Sequence, residues 1–596
     1  MMTTSSTTDM VAADRLLAVI DQLARELQPG RGLASALTLD SSLDRDLGFD
    51  SLSRVELLVR IEQTFDISIP EQILTTIETP RDFLRAVRAA GGRLQTEARP
   101  VQRAAATIPA AQTVPIHADT LVQVLEYHAD CQPDRPHIRL YRDEDDGEII
   151  TYGELLEAAR LIARNLRHQG LVDGETVLIM LPTGRAYFIS FFGVLLAGGV
   201  PVPVYPPGRL KQLAEHLRRH AAIALNCQAR MMITMPEAKE FAKLMHHLVE
   251  TLRLVVTAAD LTLPELASAT MELPHPGPDG TAFLQYTSGS TGMPKGVILS
   301  HANLLANIRA MGQVLQVTGN DTFVSWLPLY HDMGLIGAWF GSLYYGCPLI
   351  VMSPLAFIAR PKRWLQAIHR YGGTLSAAPN FAYELCLRRL DDKELAGLDL
   401  HSWRCAFNGA EAVSPTTITR FAERFSRYGF RAEAMMPVYG LAESSVGLAF
   451  PHQPRPPVID RVKRKKMMDE GRAIPAGTAD HDAFEFVSCG RPLPGHQIRI
   501  VDDGGRELPD RHQGSLQFTG PSVTSGYFRD PDQTDRLFDG LWLNSGDLAY
   551  IADGEVYITG RSKDIIIRGG RNIYPIELEE AVGGIDGISK GNVAVF

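Results

Sequence analysis

The segment from Leu284 to Val297, Leu-Gln-Tyr-Thr-Ser-Gly-Ser-Thr-Gly-Met-Pro-Lys-Gly-Val, packs hydroxyls, glycines and one lysine into a single turn. That combination suits a polyanion. Gly289 and Gly292 let backbone N–H groups approach phosphate oxygens closely. Thr287, Ser288, Ser290 and Thr291 add hydroxyl donors, and Lys295 adds positive charge. It is not a P-loop. With Gly289 as the first glycine, Pro294 stands where the second belongs, and Gly296 replaces the hydroxyl residue after the lysine. The flanks, an apolar strand before and Val297-Ile-Leu299 after, set the turn between ordered elements rather than in a surface linker.

Four further segments hold groups that a nucleotide needs. Trp326 to Ile336 sets His331 and Asp332 within an apolar stretch. Phe407 to Ala412, with Asn408, Gly409, Ala410 and Glu411, reads as a tight turn whose backbone can recognise a flat base. Pro437 to Ser445 offers Tyr439 and Gly440 against a ring, and Glu443 as a carboxylate for Mg²⁺. Trp542 to Leu548 presents Asp547 after a glycine, as gripping a ribose diol requires. Taken singly, such a histidine is more often a core residue and such acids more often solvated surface. Only the set points to one site.

A different chemistry is suggested near the N-terminus. Gly48 lets the loop Leu47-Gly-Phe-Asp-Ser-Leu52 turn, Phe49 and Leu52 anchor it, and Ser51 stands at a loop–helix junction. A serine there is ordinarily a helix cap. The surroundings, however, are acidic: Asp40, Asp44, Asp46, Asp50, Glu56 and Glu62 against Arg45, Arg54 and Arg60, which suits docking by a basic partner.

The elements that must position these groups fall into unequal parts. Residues 1–90 read as a small four-helix bundle. Its helices are expected over Val11–Leu27, from Asp50 or Ser51 onward, over a short turn at Pro70–Leu74, and from Thr79 through Val87. Residues 91–118, rich in Ala, Pro, Thr and Gln, read as a linker with a root-mean-square span of roughly 30 Å if flexible. From Thr120 the pattern is α/β. Thr176–Leu181, Pro201–Tyr205, Val324–Leu327 and Pro348–Met352 are strand candidates, Ala186–Ala197 is a helix, and parallel sheets covered by helices follow.

Composition bounds the rest. The 596 residues are 45% hydrophobic, 21% charged and 8% aromatic, which excludes a disordered, collagen-like or coiled-coil chain. A net charge of -10 argues against a large nucleic-acid footprint. No run of 18 apolar residues and no basic-then-apolar start are present, so neither a membrane span nor a secretory signal is expected. Cys131, Cys227, Cys347, Cys386, Cys405 and Cys489 are scattered, as in a cytoplasmic protein with reduced thiols.

Two resemblances join these readings. Leu47 to Leu57 resembles the phosphopantetheine attachment motif of acyl carrier proteins. This implies that Ser51 bears a phosphopantetheine arm whose thiol holds an acyl thioester. From about Thr120 to the end, the glycine-rich segment and its four companions, in this order, resemble the adenylate-forming superfamily of acyl-CoA synthetases, peptide-synthetase adenylation domains and luciferases. The implied chemistry joins an acid and ATP into acyl-AMP and pyrophosphate, after which a thiol takes the acyl group. The resemblance places Arg561 on the ribose and Lys563 at a hinge to a small mobile domain. Many relatives carry threonine before the metal-binding acid, where Ala442 stands here.

Within the superfamily, Leu284–Tyr286, Tyr330–Gly334, Tyr439–Glu443 and Val487–Gly495 are most similar to fatty acyl-AMP ligases, which hand acyl-AMP to a carrier thiol. Those enzymes carry an insertion that hinders use of CoA, and the polar stretch 451–486, with Arg461, Lys463, Arg464, Lys465 and Lys466, fits one. The implied partners are a fatty acid, an acyl carrier domain (this one or a downstream one) and downstream polyketide synthase or peptide synthetase modules. Phe191–Gly199 with Leu335 and Ile336 is a candidate acyl-tunnel wall. An acyl-CoA ligase, an amino-acid adenylation domain using Asp332 for an α-ammonium, and an inactive carrier scaffold are the alternatives. The expected domains are 1–90 carrier, 91–118 linker, 119–559 large domain, and 560–596 hinge with the opening of an incomplete α+β domain. A family lysine late in that domain has no counterpart before Phe596, which implies slow adenylation and poor thiol loading by a chain that stops there.

Overall fold

Apolar residues at helical spacing build the N-terminal unit. Helix Thr4–Leu27 buries Leu16, Ile20 and Leu23, helix Ser51–Phe65 buries Leu57, Leu58 and Ile61, and helix Pro80–Ala90 buries Phe83, Leu84 and Val87. Pro80 opens its helix, where a missing N–H costs nothing, and Asp82 accepts from the Thr79 N–H at 3.0 Å. Arg54 is buried and locks the loop before its helix, donating to Asp44 at 2.6 Å and to the Ile77 carbonyl. The computed structural model describes residues 4–582 except 28–36, 50, 66, 68, 70–72, 74–76, 91–113, 143–146, 207–212, 264–270, 289–293, 453, 565, 569–570, 576–577 and 580–581. The first helix starts at Thr4 rather than Val11: the polar lead-in has no apolar period, but it has no glycine or proline to stop a helix either. The expected turn at Pro70–Leu74 lies outside the described residues apart from Ile73.

The large unit contains two parallel sheets whose strands are buried on both faces, hence their unbroken apolar runs. One has the order Val200–Pro203, Thr176–Met180, Met231–Thr234, Leu254–Thr257. The other runs Met435–Pro437, Cys405–Asn408, Leu375–Ala378, Phe323–Ser325, Leu349–Val351, Pro136–Leu140, with Glu148–Thr151 added antiparallel at the edge. All four expected strands and the helix at Arg185–Leu196 are present. An antiparallel hairpin, Thr281–Ser288 with Pro294–Ser300, flanks them. So does an antiparallel sheet containing Gln497–Val501, Gly514–Thr519, Trp542–Ala552 and Glu555–Arg561.

The stretch expected as an insertion and the end of the expected linker are both ordered parts of the large unit. Within 451–486, strand Ile459–Lys463 pairs with Ala483–Val487, and helix Arg464–Glu470 follows the first strand. Val462, Met467 and Phe484 form an apolar cluster with Tyr550, Tyr557 and Tyr574, while the charges pair locally, Arg464 with Asp482 at 2.5 Å and Arg461 with Glu485 at 3.2 Å. At the end of the expected linker, Arg309 donates to the carbonyls of Ile116 at 3.3 Å and Ala118 at 2.6 Å, strapping these residues to the large unit. Residues 91–113 lie outside the described residues. Among the described residues no helix is long and apolar enough to cross a membrane.

Candidate active site

The two parallel sheets and the antiparallel sheet meet around a cavity of about 1650 Å³ with a charged pole and an apolar pole. At the charged pole, Thr287 and Lys295 face each other in register across the hairpin. Ser288 ends the first strand, and Gly289, Ser290, Thr291 and Gly292 lie outside the described residues. The Lys295 ammonium donates to Gln533 Oε1 at 2.9 Å and sits 4.8 Å from the centre of the Tyr527 ring. Neither of these partners is an anion. They hold the cation in place while leaving its charge for a phosphate.

Glu443 lies on a single helical turn, Ala442–Ser444, next to that lysine's ring partner. The Tyr527 hydroxyl donates to its Oε1 at 2.7 Å, and the Thr524 N–H donates to its carbonyl at 2.8 Å. Burial pushes the Glu443 carboxyl above its ordinary 4.5, Asp332 adds to this, and Tyr527 and Lys295 oppose it. A single carboxylate on a roomy polar wall is the donor set that Mg²⁺ uses when phosphates and water complete its shell, so the residues fit the ion. One residue earlier, Ala442 places a methyl on the cavity wall.

Asp547 and Arg561 sit opposite each other on neighbouring strands. The Tyr439 hydroxyl donates to Asp547 Oδ2 at 2.5 Å, and Arg561 Nε lies 3.8 Å from Oδ1. Gly546, at φ +77°, sits at a bulge within strand Trp542–Ala552 beside Asp547, and the Ser562 hydroxyl and N–H both bond the Gly546 carbonyl, which ties the strand end preceding Lys563 to the site. Burial raises the Asp547 carboxyl and the tyrosine opposes it. Tyr439, expected as a ring for stacking, thus also fixes the Asp547 carboxylate.

The turn after strand Cys405–Asn408 brings Ala410 (φ +66°) and Glu411 to the wall, as Gly440 and Tyr439 are brought from Met435–Pro437. Asn408 and Gly409 are not at the wall. Asn408 is fully buried, its amide donating to Asn380 Oδ1 at 3.2 Å, and a Cβ on Gly409 would lie 2.9 Å from the Val438 carbonyl oxygen. They still close the sheet there, so they shape the turn rather than touch a ligand. His331 is half exposed in the cavity, its Nδ1 2.7 Å from Asp332 Oδ1, and that carboxylate raises the imidazole's pKa. Asp332 also accepts from the Met333 N–H at 2.6 Å, capping the π-helical segment Met333–Phe340.

The apolar pole is lined by Ile308, Met311, Phe323, Ala377 and the glycines Gly337 and Gly341. This corrects the wall read from sequence. Leu335 and Ile336 are fully buried, and Phe191 and Phe192 pack edge-on to Trp339 in the main core, away from the cavity. An apolar run reports burial without saying whether core or tunnel buries it. Tyr527 and Gln533 were not legible as site residues. Tyr527 reaches the site through a bridge to Val297 on the lysine hairpin, a pairing distant in sequence.

A family model described as AMP-binding enzyme matches residues 125–528, and one described as phosphopantetheine attachment site matches residues 19–87. The chain belongs to the AMP-binding enzymes and carries an N-terminal phosphopantetheine attachment domain. It is 36% identical over 481 residues to the medium-chain-fatty-acid–acyl-carrier-protein ligase JamA of Moorena producens, covering 78% of this chain and 80% of the relative. It is 34% identical over 508 residues to a long-chain-fatty-acid–AMP ligase of Mycobacterium marinum, covering 81% and 85%. A structure from a study of fatty acyl-adenylate ligases of E. coli and L. pneumophila superposes with a TM-score of 0.75 at 34% identity, over 80% of this chain and 85% of that one. A fatty acyl-adenylate ligase of L. pneumophila in complex with acyl adenylate and pyrophosphate gives 0.70 at 30% identity, over 80% and 83%.

Proposed function

We propose that the protein joins a fatty acid to ATP, releasing pyrophosphate, and passes the acyl group from AMP to a phosphopantetheine thiol on a carrier domain, as a loading module for polyketide synthase or peptide synthetase modules. One observation carries this reading: a single cavity runs from Lys295, Glu443 and Asp547 to an apolar pole at Ile308, Met311 and Phe323. A fatty acid has the same polarity, a carboxylate on an apolar chain, and the names of the relatives accord with it.

In the first step a carboxylate oxygen attacks the α-phosphorus in line and the bond to pyrophosphate breaks. Both reactants are anions. Lys295 and the backbone donors of the glycine-rich turn offset the repulsion and stabilise charge as it develops. Asp547 and Arg561 hold the ribose, and the Ala410–Glu411 turn and Gly440 flank the base, so the reacting atoms are positioned before reaction. Glu443 would hold Mg²⁺, which when bound neutralises phosphate charge. Asp332 raises the pKa of His331, which favours a cationic imidazole beside the adenylate.

Ser51 fits the arm's attachment point: it opens helix Ser51–Phe65 directly after a loop fixed by buried Leu47 and Phe49 and turned by Gly48 at φ +66°. When attached, phosphopantetheine supplies the thiol that displaces AMP from the acyl carbon. A carrier in the same chain places that thiol at roughly mM effective concentration if the linker spans the sites. Residues 1–90 are read as the carrier, 119–559 as the large domain and Lys563 as the hinge.

The amino-acid alternative is disfavoured by Asp332, which is already engaged by His331 and the Met333 N–H. Pyrophosphate release with a panel of fatty and amino acids, then with free CoA or a holo carrier as acceptor, tests the reading. Release with fatty acids and transfer to the carrier alone is expected. Release with amino acids, or rapid acyl-CoA formation, would overturn it.

A further inference from the structure

The carrier helix that opens with Ser51 does not end its contacts within its own bundle. On the large unit, helix Pro354–Ala359 packs against it, and Ala359, 4% exposed, with Ile358 beside it, joins the carrier's apolar cluster. Two arginines flank this contact. Arg389, the last residue of helix Asn380–Arg389, donates to Glu56 Oε2 at 2.6 Å and to the Ile358 carbonyl at 3.5 Å. Arg360, just past Ala359, pairs with Glu62.

Glu62 is the informative partner. Its carboxylate is 9% exposed and accepts from the Ile69 N–H at 2.6 Å inside the carrier. Burial raises its pKa, and the charges of Arg360 and Arg363, both from the large unit, oppose that. A carboxylate so placed needs a cation, and the cation comes from across the interface. Glu56 is held in turn by Arg60 at 2.9 Å within the carrier, so it reaches Arg389 already oriented.

We infer that the face formed by Ile358, Ala359, Arg360 and Arg389 is the docking site for the carrier domain's own Ser51–Phe65 helix, with an apolar centre and an arginine rim matched to Glu56 and Glu62. The occupant is set by what is seated there and by the charge match. The acidic character read from the carrier sequence finds its basic partner on this face. Partly buried ion pairs gain little net affinity over their hydration cost, so they specify register while the small apolar centre adds modest adhesion. Such a contact holds loosely and is released by salt.

The site's position bears on its use. Helix Asn380–Arg389 spans about 15 Å at 1.5 Å per residue. Its Arg389 end holds the carrier, and at its other end the Phe381 N–H donates to Glu411 of the nucleotide-side turn at 2.6 Å. The docked carrier therefore sits about one helix length from the adenylate cavity. The inference stands on the interface alone and does not rest on which acid is activated.

The test uses the full chain in a Cys131→Ser background, since Cys131 is exposed and the other five cysteines are buried. Glu56→Cys and Arg389→Cys are introduced together, which leaves the Arg360–Glu62 pair intact, and a short bismaleimide is added. An intramolecular cross-link between positions 56 and 389 is expected by peptide mass spectrometry. Arg360→Glu should lower its yield roughly fivefold or more while Arg360→Lys retains most of it. About 1 M NaCl should lower it too, because the Debye length falls to about 3 Å. Melting curves of each variant confirm folding. Absence of the cross-link in the parent, or a yield indifferent to Arg360→Glu in a folded protein, would overturn the inference.

Discussion

The Tyr527 hydroxyl donates to Glu443 Oε1 at 2.7 Å, and this bond links the turn Ala442–Ser444 to the segment that packs on the lysine hairpin. The same ring lies under the Lys295 ammonium. One side chain thus orients both charges at this end of the cavity.

Removing that hydroxyl is the first prediction. Tyr527→Phe keeps the ring under Lys295 but leaves a buried carboxylate short of a donor, a loss of about 1–3 kcal/mol. The Mg²⁺ concentration for half-maximal pyrophosphate release should rise roughly fivefold or more, and the melting temperature should fall by roughly 1–4 °C. An unaltered Mg²⁺ dependence would separate Tyr527 from the site.

Glu443 gives a prediction about pH and stability. Its folded pKa is raised above 4.5, chiefly by burial. Between 4.5 and the folded value the native state holds a proton the unfolded state has released, so stability falls as pH rises through that window and the cost persists above it. Glu443→Gln removes the cost. Without Mg²⁺ it should melt roughly 1–3 °C higher than the parent at pH 8, the gain shrinking toward pH 4.5. Its pyrophosphate release should fall roughly a hundredfold. A lower melting temperature at pH 8 would show that the carboxylate is stabilising where it lies.

Gly337 tests the apolar pole. It lines the cavity, and a Cβ there would meet nothing within 4 Å. Gly337→Leu should therefore enter acyl space without displacing the backbone. Each methylene excluded costs about 0.8 kcal/mol, so long-chain acids should lose activity steeply and short ones little. A uniform loss across an acid series would mean the acyl chain lies elsewhere.

Lys295, Glu443 and Asp547 are readable only as a set of short segments, and the structure brings all three to the wall of one cavity. Strands such as Thr176–Met180 were readable because burial on both faces leaves an unbroken apolar run. Tyr527 was not, because its role depends on a pairing between distant segments. Asn408 and Gly409 were placed in the right turn but on its buried side, a difference of strand facing that composition does not encode. The apolar wall was misplaced because Phe191 and Leu335 satisfy the same hydrophobic pattern as Met311 and Phe323.

The central claim is that one chain forms the acyl adenylate and that Ser51 carries the group that receives the acyl chain. Intact-protein mass spectrometry of the phosphopantetheinylated protein, incubated to completion with ATP, Mg²⁺ and a medium-chain fatty acid, tests it directly. The account predicts a mass increase equal to the acyl group, mapped to the arm on Ser51, released by hydroxylamine and absent in Ser51→Ala, while Ser51→Ala still releases pyrophosphate. An acyl mass retained by Ser51→Ala, or no fatty-acid-dependent pyrophosphate from either protein, would contradict it.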